Sequence, residues 1–183
     1  MTGTQVSRLI RQSLPEIRET ARHGTILDLA CGSGRNGIYL VKQGLSVIFA
    51  DRRQAALDDS ARALPGTELA TLRAVDLEQT SCNPLAGQSF ATILVFRYLH
   101  HPLLAAIKDS VQPGGLLVYE TFTVDQPRFG RPNHPDYLLR PGELEDTFSN
   151  WDIRYSFEGV SECETSGRDQ AIARIVARKP ARD

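Results

Sequence analysis

Residues 26–37 read ILDLACGSGRNG, from Ile26 to Gly37. A short apolar run passes into a glycine loop and then into a helix-forming segment. Gly32 and Gly34 lack a Cβ, so a ligand can press against their peptide groups. The helix that opens after them offers unbonded N–H groups, which favour negative charge. Taken literally, Gly32, Gly34 and Gly37 form G-x-G-x-x-G, the fingerprint of a pyrophosphate-binding dinucleotide site. Asp28 argues for a different ligand. It lies four residues before Gly32, at the end of the strand, and points an acceptor at the loop. An anion there would repel a pyrophosphate but would attract an amino group. A zwitterionic amino-acid moiety suits both the acceptor and the helix N-terminus.

Reading outward, Val6, Leu9, Ile10, Leu14 and Ile17 recur at helical spacing. Ser13-Leu14-Pro15-Glu16 has the form of a capping box with proline in the first turn, so a second helix is expected to start there and to end at Gly24. Thr25 to Leu29 is the first strand. A helix follows from about Arg35 to Gln43, closed by Gly44. Strand two is Ser46 to Ala50, with Asp51 at its end. Residues 54–64 form a helix stopped by Pro65-Gly66. Strand three runs from Leu69 to Val75 and ends at Asp76, and strand four from Phe90 to Phe96. Leu103, Leu104, Ile107 and Val111 share a helical face. Pro113-Gly114-Gly115 turns into strand five, Leu116 to Glu120. Five strand–helix alternations predict a parallel sheet covered on both faces. Residues 141–149 form a further helix. Trp151–Phe157 and Ala171–Ala177 then form two strands joined only by the turn-rich Ser161–Asp169, an antiparallel hairpin. The expected fold class is therefore α/β: a Rossmann-like doubly wound sheet of seven strands, mostly parallel, in one domain. The proline-rich segment 123–140 follows strand five and should overhang the carboxyl edge of the sheet, where ligands bind in open α/β folds.

Composition narrows the function. The 183 residues, 41% hydrophobic and 23% charged, suit one packed domain. A net charge of -1 makes no global electrostatic case for nucleic acid or an anionic membrane. Apolar runs are far too short to span a bilayer, the N-terminus has no continuous apolar core, and a reduced cytoplasmic setting is expected. Cys31, Cys82 and Cys163 are odd in number and lack C-x-x-C spacing, so neither a zinc site nor a disulfide framework is expected. No metal is expected.

D-x-A-C-G-x-G, an acid ending strand two, an aspartate ending strand three and P-G-G before strand five together resemble the class I S-adenosylmethionine-dependent methyltransferases. The run CGSGRNGIYL resembles in particular the small tellurite-resistance-type branch. The resemblance covers roughly residues 24–179, with one departure: Ala30 stands where many members have their first glycine. It implies S-adenosylmethionine as cofactor. Ala30, Cys31, Gly32 and Gly34 would line its methionine part, with Asn36 nearby and Asp28 on its amino group. Asp51, 19 residues beyond Gly32, would take the ribose hydroxyls, with Arg52 beside it. Asp76 and Leu77 would face the adenine, and Phe96 and Arg97 the transferable methyl. The domain then divides into an N-terminal helical segment (1–23), a cofactor-binding core (24–122), a substrate-side loop (123–140) and a helix with the terminal hairpin (141–183).

On the acceptor side, Arg97, His100 and His101 are the catalytic candidates, and Arg97, Glu120, Arg128, Arg131, Tyr137 and Arg140 the substrate-binding ones. Each has a structural alternative. The histidines could cap the next helix or pack. Arg97 could pair with Glu120 on the neighbouring strand. The arginines of 123–140 could form a lid or merely fasten the loop. Cys31 reads as a small residue beside the ligand, since no base lies at a recognisable spacing. The expected function is methyl transfer to a small, polar or anionic acceptor. The rivals are an RNA or modified-nucleotide methyltransferase, a non-catalytic partner retaining the fold, and an NAD-linked oxidoreductase. The residues leave the acceptor and the oligomeric state open.

Overall fold

The computed structural model describes residues 5–79 and 82–181. Seven strands form one sheet: β1 (Ile26–Leu29), β2 (Val47–Asp51), β3 (Ala70–Ala74), β4 (Phe90–Phe96), β5 (Val111–Phe122), β6 (Asp152–Glu162) and β7 (Asp169–Arg178). Their order is β3-β2-β1-β4-β5-β7-β6. β1 to β5 are parallel, while β7 runs antiparallel to β5, and β6 antiparallel to β7. This is the Rossmann-like α/β sheet with its terminal hairpin. The order reverses beside β1, so the carboxyl ends of β1, β2 and β4 border a topological switch point.

Alternation along the strands builds two cores. Ile26, Phe49, Leu94, Leu116 and Val118 face α1 (Arg8–Thr20), α2 (Arg35–Lys42) and α3 (Gln54–Ala63), where Ile10, Ile17, Leu40 and Leu57 meet them. Leu27, Leu29, Ile93, Leu117 and Tyr119 face the other side, where Ile107 of α4 (Leu104–Ser110) and Leu144 of α5 (Glu143–Thr147) close the layer with Phe148 and Trp151.

Two local expectations change. No helix starts at Ser13. Ser7 is the N-cap, its hydroxyl accepting from Leu9 N, and α1 runs unbroken through Pro15. Proline inside a helix costs about 3 kcal/mol, but Leu9, Ile10, Ser13 and Ile17 are all buried in one stripe against the sheet. The Thr20 hydroxyl also meets that of Thr92 at 2.7 Å. Long-range burial outweighs the local signal. Val111 likewise opens β5 rather than ending a helix, so Pro113-Gly114-Gly115 lies within the strand, and the register shifts beside Phe90.

Segment 123–140 is anchored. Gln126 is buried, accepts from Ala171 N at 2.9 Å and donates to the Arg131 carbonyl at 3.1 Å. Leu138 and Leu139 are buried beneath it, and Thr123 bridges Leu139.

Candidate active site

The glycine loop is wound tightly because three of its residues take positive φ: Ala30 (52°), Gly32 (56°) and Gly34 (73°). At Gly34 a Cβ would overlap the Ser60 hydroxyl and lie 2.9 Å from the Phe49 ring. At Gly37 it would overlap Phe49 and approach Asp28 Oδ2 to 2.8 Å. The second and third glycines of the pattern thus let α2 close onto β1 and β2.

Two carboxylates organise this loop. Asp28, in β1, is buried and accepts from Gly37 N at 2.9 Å. Burial pushes its carboxyl up to about 7, against the opposing pull of the Gly37 N–H and of Arg35. Asp51, ending β2, accepts from Gly32 N at 2.8 Å and from Arg53 N at 2.9 Å. It therefore ties the loop to the next turn and keeps lone pairs for a ligand, since a carboxylate offers about four acceptor sites.

Three cavities adjoin along the carboxyl edge of the sheet. The first, about 210 Å³, is lined by Ala30, Asp51, Arg52, Arg53, Val75, Asp76, Leu77, Glu78, Arg97 and Tyr98. The second, about 250 Å³, lies between Asp28, Ala30, Cys31, Arg35, Asn36, Phe96, Arg97 and Thr165. The third, about 300 Å³, opens between the first cavity and segment 123–140, against Thr121, Phe122, Pro132 and Tyr137. Ala30 and Arg97 join the first to the second; Arg52, Glu78, Arg97 and Tyr98 join the first to the third.

Arg97 is common to all three. It directly follows β4 with φ 56°, a left-handed conformation that costs a non-glycine residue roughly 1 kcal/mol or more. Its guanidinium is held from one side: Nη2 donates to Cys163 Sγ at 3.1 Å and to Gln170 Oε1 at 3.2 Å, and Cζ lies 5.6 Å from the Phe122 ring centre. Nη1 and Nε have no protein partner among the described residues. Burial alone would raise the Cys163 thiol, but hydrogen bonds from Ser166, Thr165 and Arg97 outweigh it and bring the group down to about 6. Cys31 behaves oppositely: burial, then the charges of Asp28 and Asp51, drive its thiol far above the usual range. It is therefore a neutral wall residue.

Of the residues singled out in the sequence, Asp28, Ala30, Cys31, Asn36, Asp51, Arg52, Asp76, Leu77 and Phe96 all line the first two cavities, while Gly32 and Gly34 form the turn behind them. Asn36 also anchors the chain entering α1, accepting from Ser7 N at 3.0 Å. The acceptor-side candidates disperse. Arg97 and Tyr137 reach the third cavity. Glu120 is buried and pairs with Arg174 of β7 at 2.7 Å, because β7 is the strand that lies beside β5 on that side. The Arg97–Glu120 side-chain pair therefore does not form; only the Arg97 N–H meets the Glu120 carbonyl, at 2.8 Å. His101 Nε2 faces Glu143 at 3.0 Å, and His100 lines a further hollow with Cys82 and Pro102, which meets the first cavity at Leu77. Arg128 pairs with Asp125 and lies over Phe129. Arg131 and Arg140 are exposed and line none of the three cavities.

Residues that no motif marked complete the site: Arg53, Glu78, Tyr98, Cys163, Thr165 and Gln170. Arg53, Glu78 and Tyr98 each lie within two residues of a position marked in the sequence; Cys163, Thr165 and Gln170 carried no such hint.

Residues 27–117 match a family model described as a methyltransferase domain. No curated protein matches the chain in sequence. Among solved structures, TehB from Haemophilus influenzae superposes with a TM-score of 0.67 at 19% identity, over 90% of this chain and 62% of TehB. The chain thus spans less than two thirds of that protein's length. A SAM-dependent methyltransferase from Methanosarcina mazei gives 0.68 at 17% identity, over 97% of this chain and 100% of the other. The magnesium protoporphyrin IX methyltransferase of Synechocystis PCC 6803, solved with bound SAH, gives 0.66 at 14%, over 93% and 80%. At these identities the likeness is one of fold.

Proposed function

We propose that this chain is an S-adenosylmethionine-dependent methyltransferase and that it transfers the methyl group to a small polar or anionic acceptor held in the third cavity; the methyltransferase-domain match over residues 27–117 and the shared fold support this. The observation that carries this reading is the meeting of all three cavities at Arg97.

The residues present fit the cofactor. Asp28 is an acceptor in the second cavity, suited to an amino group, and the amides around Gly34 and the start of α2 suit a carboxylate. Asp51 lines the first cavity with acceptor capacity left for ribose hydroxyls, and Asp76 and Leu77 offer a polar and an apolar edge to the base. When bound, the cofactor supplies a methyl group already activated on a sulfonium.

What the chain supplies is position and exclusion of water. Arg97, its Nη2 fastened by Cys163 and Gln170, presents its remaining N–H groups toward the acceptor without having to be ordered first. Among the described residues Glu78 is the only acid lining the third cavity, and it lies in the wall shared with the first, so it is the group placed to take a proton if the acceptor must lose one. His100 and His101 face elsewhere. The near-neutral net charge favours a small molecule over RNA, whose phosphates call for a basic surface.

The test is calorimetric titration with S-adenosylhomocysteine and with NAD, followed by turnover of labelled S-adenosylmethionine on fractionated small molecules. Saturable binding of the adenosyl ligand alone, with label transferred to a small acceptor, is expected. Binding of NAD instead overturns the reading.

A further inference from the structure

Asn36 is buried at the start of α2 and lines the second cavity. Its Oδ1 accepts from the main-chain N–H of Ser7 at 3.0 Å, in a buried bond between residues distant in sequence. A side-chain amide has one acceptor end and one donor end. An N–H can meet only the acceptor end, so this bond fixes which way the amide faces. Nδ2 is left over, with no protein partner among the described residues. It is not sealed inside the protein either, and of the cavities described above Asn36 lines only the second.

The same short segment holds the neighbouring wall. Arg35, also a residue of the second cavity, donates from Nη1 to the Gln5 carbonyl at 3.2 Å. Arg8 N donates to the two Glu164 oxygens at 2.8 and 3.1 Å. Glu164 adjoins Thr165, which reaches the cavity from the turn between β6 and β7. Residues 5–8 thus tie the start of α2 to the hairpin turn, and both contribute to the cavity. The cavity in turn offers the two kinds of partner a zwitterion needs. Asp28 is an acceptor for an ammonium, and Arg35 and Asn36 carry donors for a carboxylate.

We propose that Ser7 is a positioning residue for the cofactor: its main-chain N–H holds the Asn36 amide with Nδ2 toward the second cavity, where Nδ2 donates to the carboxylate of the methionine part. A stretch of chain outside the glycine loop thereby sets how well the amino-acid end of the cofactor is held. This rests on the second cavity being the seat of that end of S-adenosylmethionine.

The test is calorimetry on Ser7→Ala and Ser7→Pro beside the parent, with S-adenosylhomocysteine and with 5′-methylthioadenosine, which keeps the adenosine and the sulfur but lacks the amino-acid part. Both variants lose the hydroxyl that caps α1 at Leu9 N, but only proline also removes the N–H, and the φ of -58° at Ser7 suits its ring. Ser7→Pro is expected to bind S-adenosylhomocysteine about tenfold more weakly than Ser7→Ala, while the two bind 5′-methylthioadenosine equally. Equal S-adenosylhomocysteine affinity in the two variants overturns the proposal. A parallel loss of both ligands in Ser7→Pro does so too, because it marks a general loosening. Asn36→Asp supplies a second reading that leaves Ser7 intact: its carboxylate still accepts from Ser7 N but faces the ligand carboxylate with like charge. A selective loss of at least tenfold for S-adenosylhomocysteine relative to 5′-methylthioadenosine is expected there, and no selective loss overturns the proposal. Failure of the parent to bind S-adenosylhomocysteine overturns instead the reading on which it rests.

Discussion

Asp28 should make cofactor binding depend on pH, and the sign follows from its surroundings. Burial raises its carboxyl from 3.8 to about 7, so near neutrality and below the folded protein holds a proton that an unfolded chain would release. The group's contribution to stability is fully present below pH 3.8 and is lost as pH rises through 7. At about 1.4 kcal/mol per unit, three units set a ceiling of about 4 kcal/mol on that loss. A cofactor ammonium beside Asp28 favours the ionised form, so binding must displace the proton. Below pH 7, affinity for S-adenosylhomocysteine should therefore fall about tenfold for each unit of pH, and above 7 it should level off. Calorimetry from pH 5.5 to 8 in buffers of different ionisation enthalpy measures both the slope and the released proton. In Asp28→Asn the amide oxygen still accepts from Gly37 N, but there is no proton to displace. The variant should show a flat profile, and its stability should no longer decline between pH 4 and 7. A parental affinity independent of pH, or the same slope in the variant, would refute the placement of the amino group on Asp28.

Gly34→Ala should destabilise the fold by about 3 kcal/mol or more, read from urea unfolding, because it combines positive φ with overlap on Ser60 and Phe49. Asp51→Ala should cost about 1–3 kcal/mol of stability, since Gly32 N and Arg53 N lose their partner, and should weaken S-adenosylhomocysteine binding roughly ten- to a hundredfold by calorimetry. Equal affinity in a folded variant removes Asp51 as the ribose ligand. Arg97→Ala should lower methyl transfer roughly ten- to a hundredfold with cofactor affinity little changed, whereas Arg131→Ala should stay near the parental rate. Steady-state turnover on the identified acceptor distinguishes them, and equal loss in both would return segment 123–140 arginines to the site.

The fold was legible where its causes are local. The apolar run at Ile26, the glycine loop, Asp51 at the end of a strand and the spacing of five strands all precede any question of which strand lies where. Legibility stopped at the neighbours. Nothing near Glu120 indicates that β7 enters beside β5 and delivers Arg174, so the sequence left open a pairing with Arg97 that does not form. Cys163 and Gln170 lie more than sixty residues beyond the arginine they hold. The apparent cap at Ser13 failed for a related reason, because a buried stripe against the sheet outweighed a short-range pattern. Tyr98 escaped notice because an aromatic at a strand end reads as core, and only its unpaired hydroxyl sets it apart.

The order β5-β7-β6 also bears on how the chain is made. β7 is synthesised after the other six strands, yet it takes an interior place, between β5 and an edge strand that pairs with no other strand among the described residues. Until residues 169–178 have left the ribosome, β5 carries an open edge along Leu116–Phe122 and β6 has no partner. An unpaired edge of this kind invites association with other chains. The same insertion brings Gln170 to Arg97, so the arginine shared by all three cavities is fully clamped only when β7 docks.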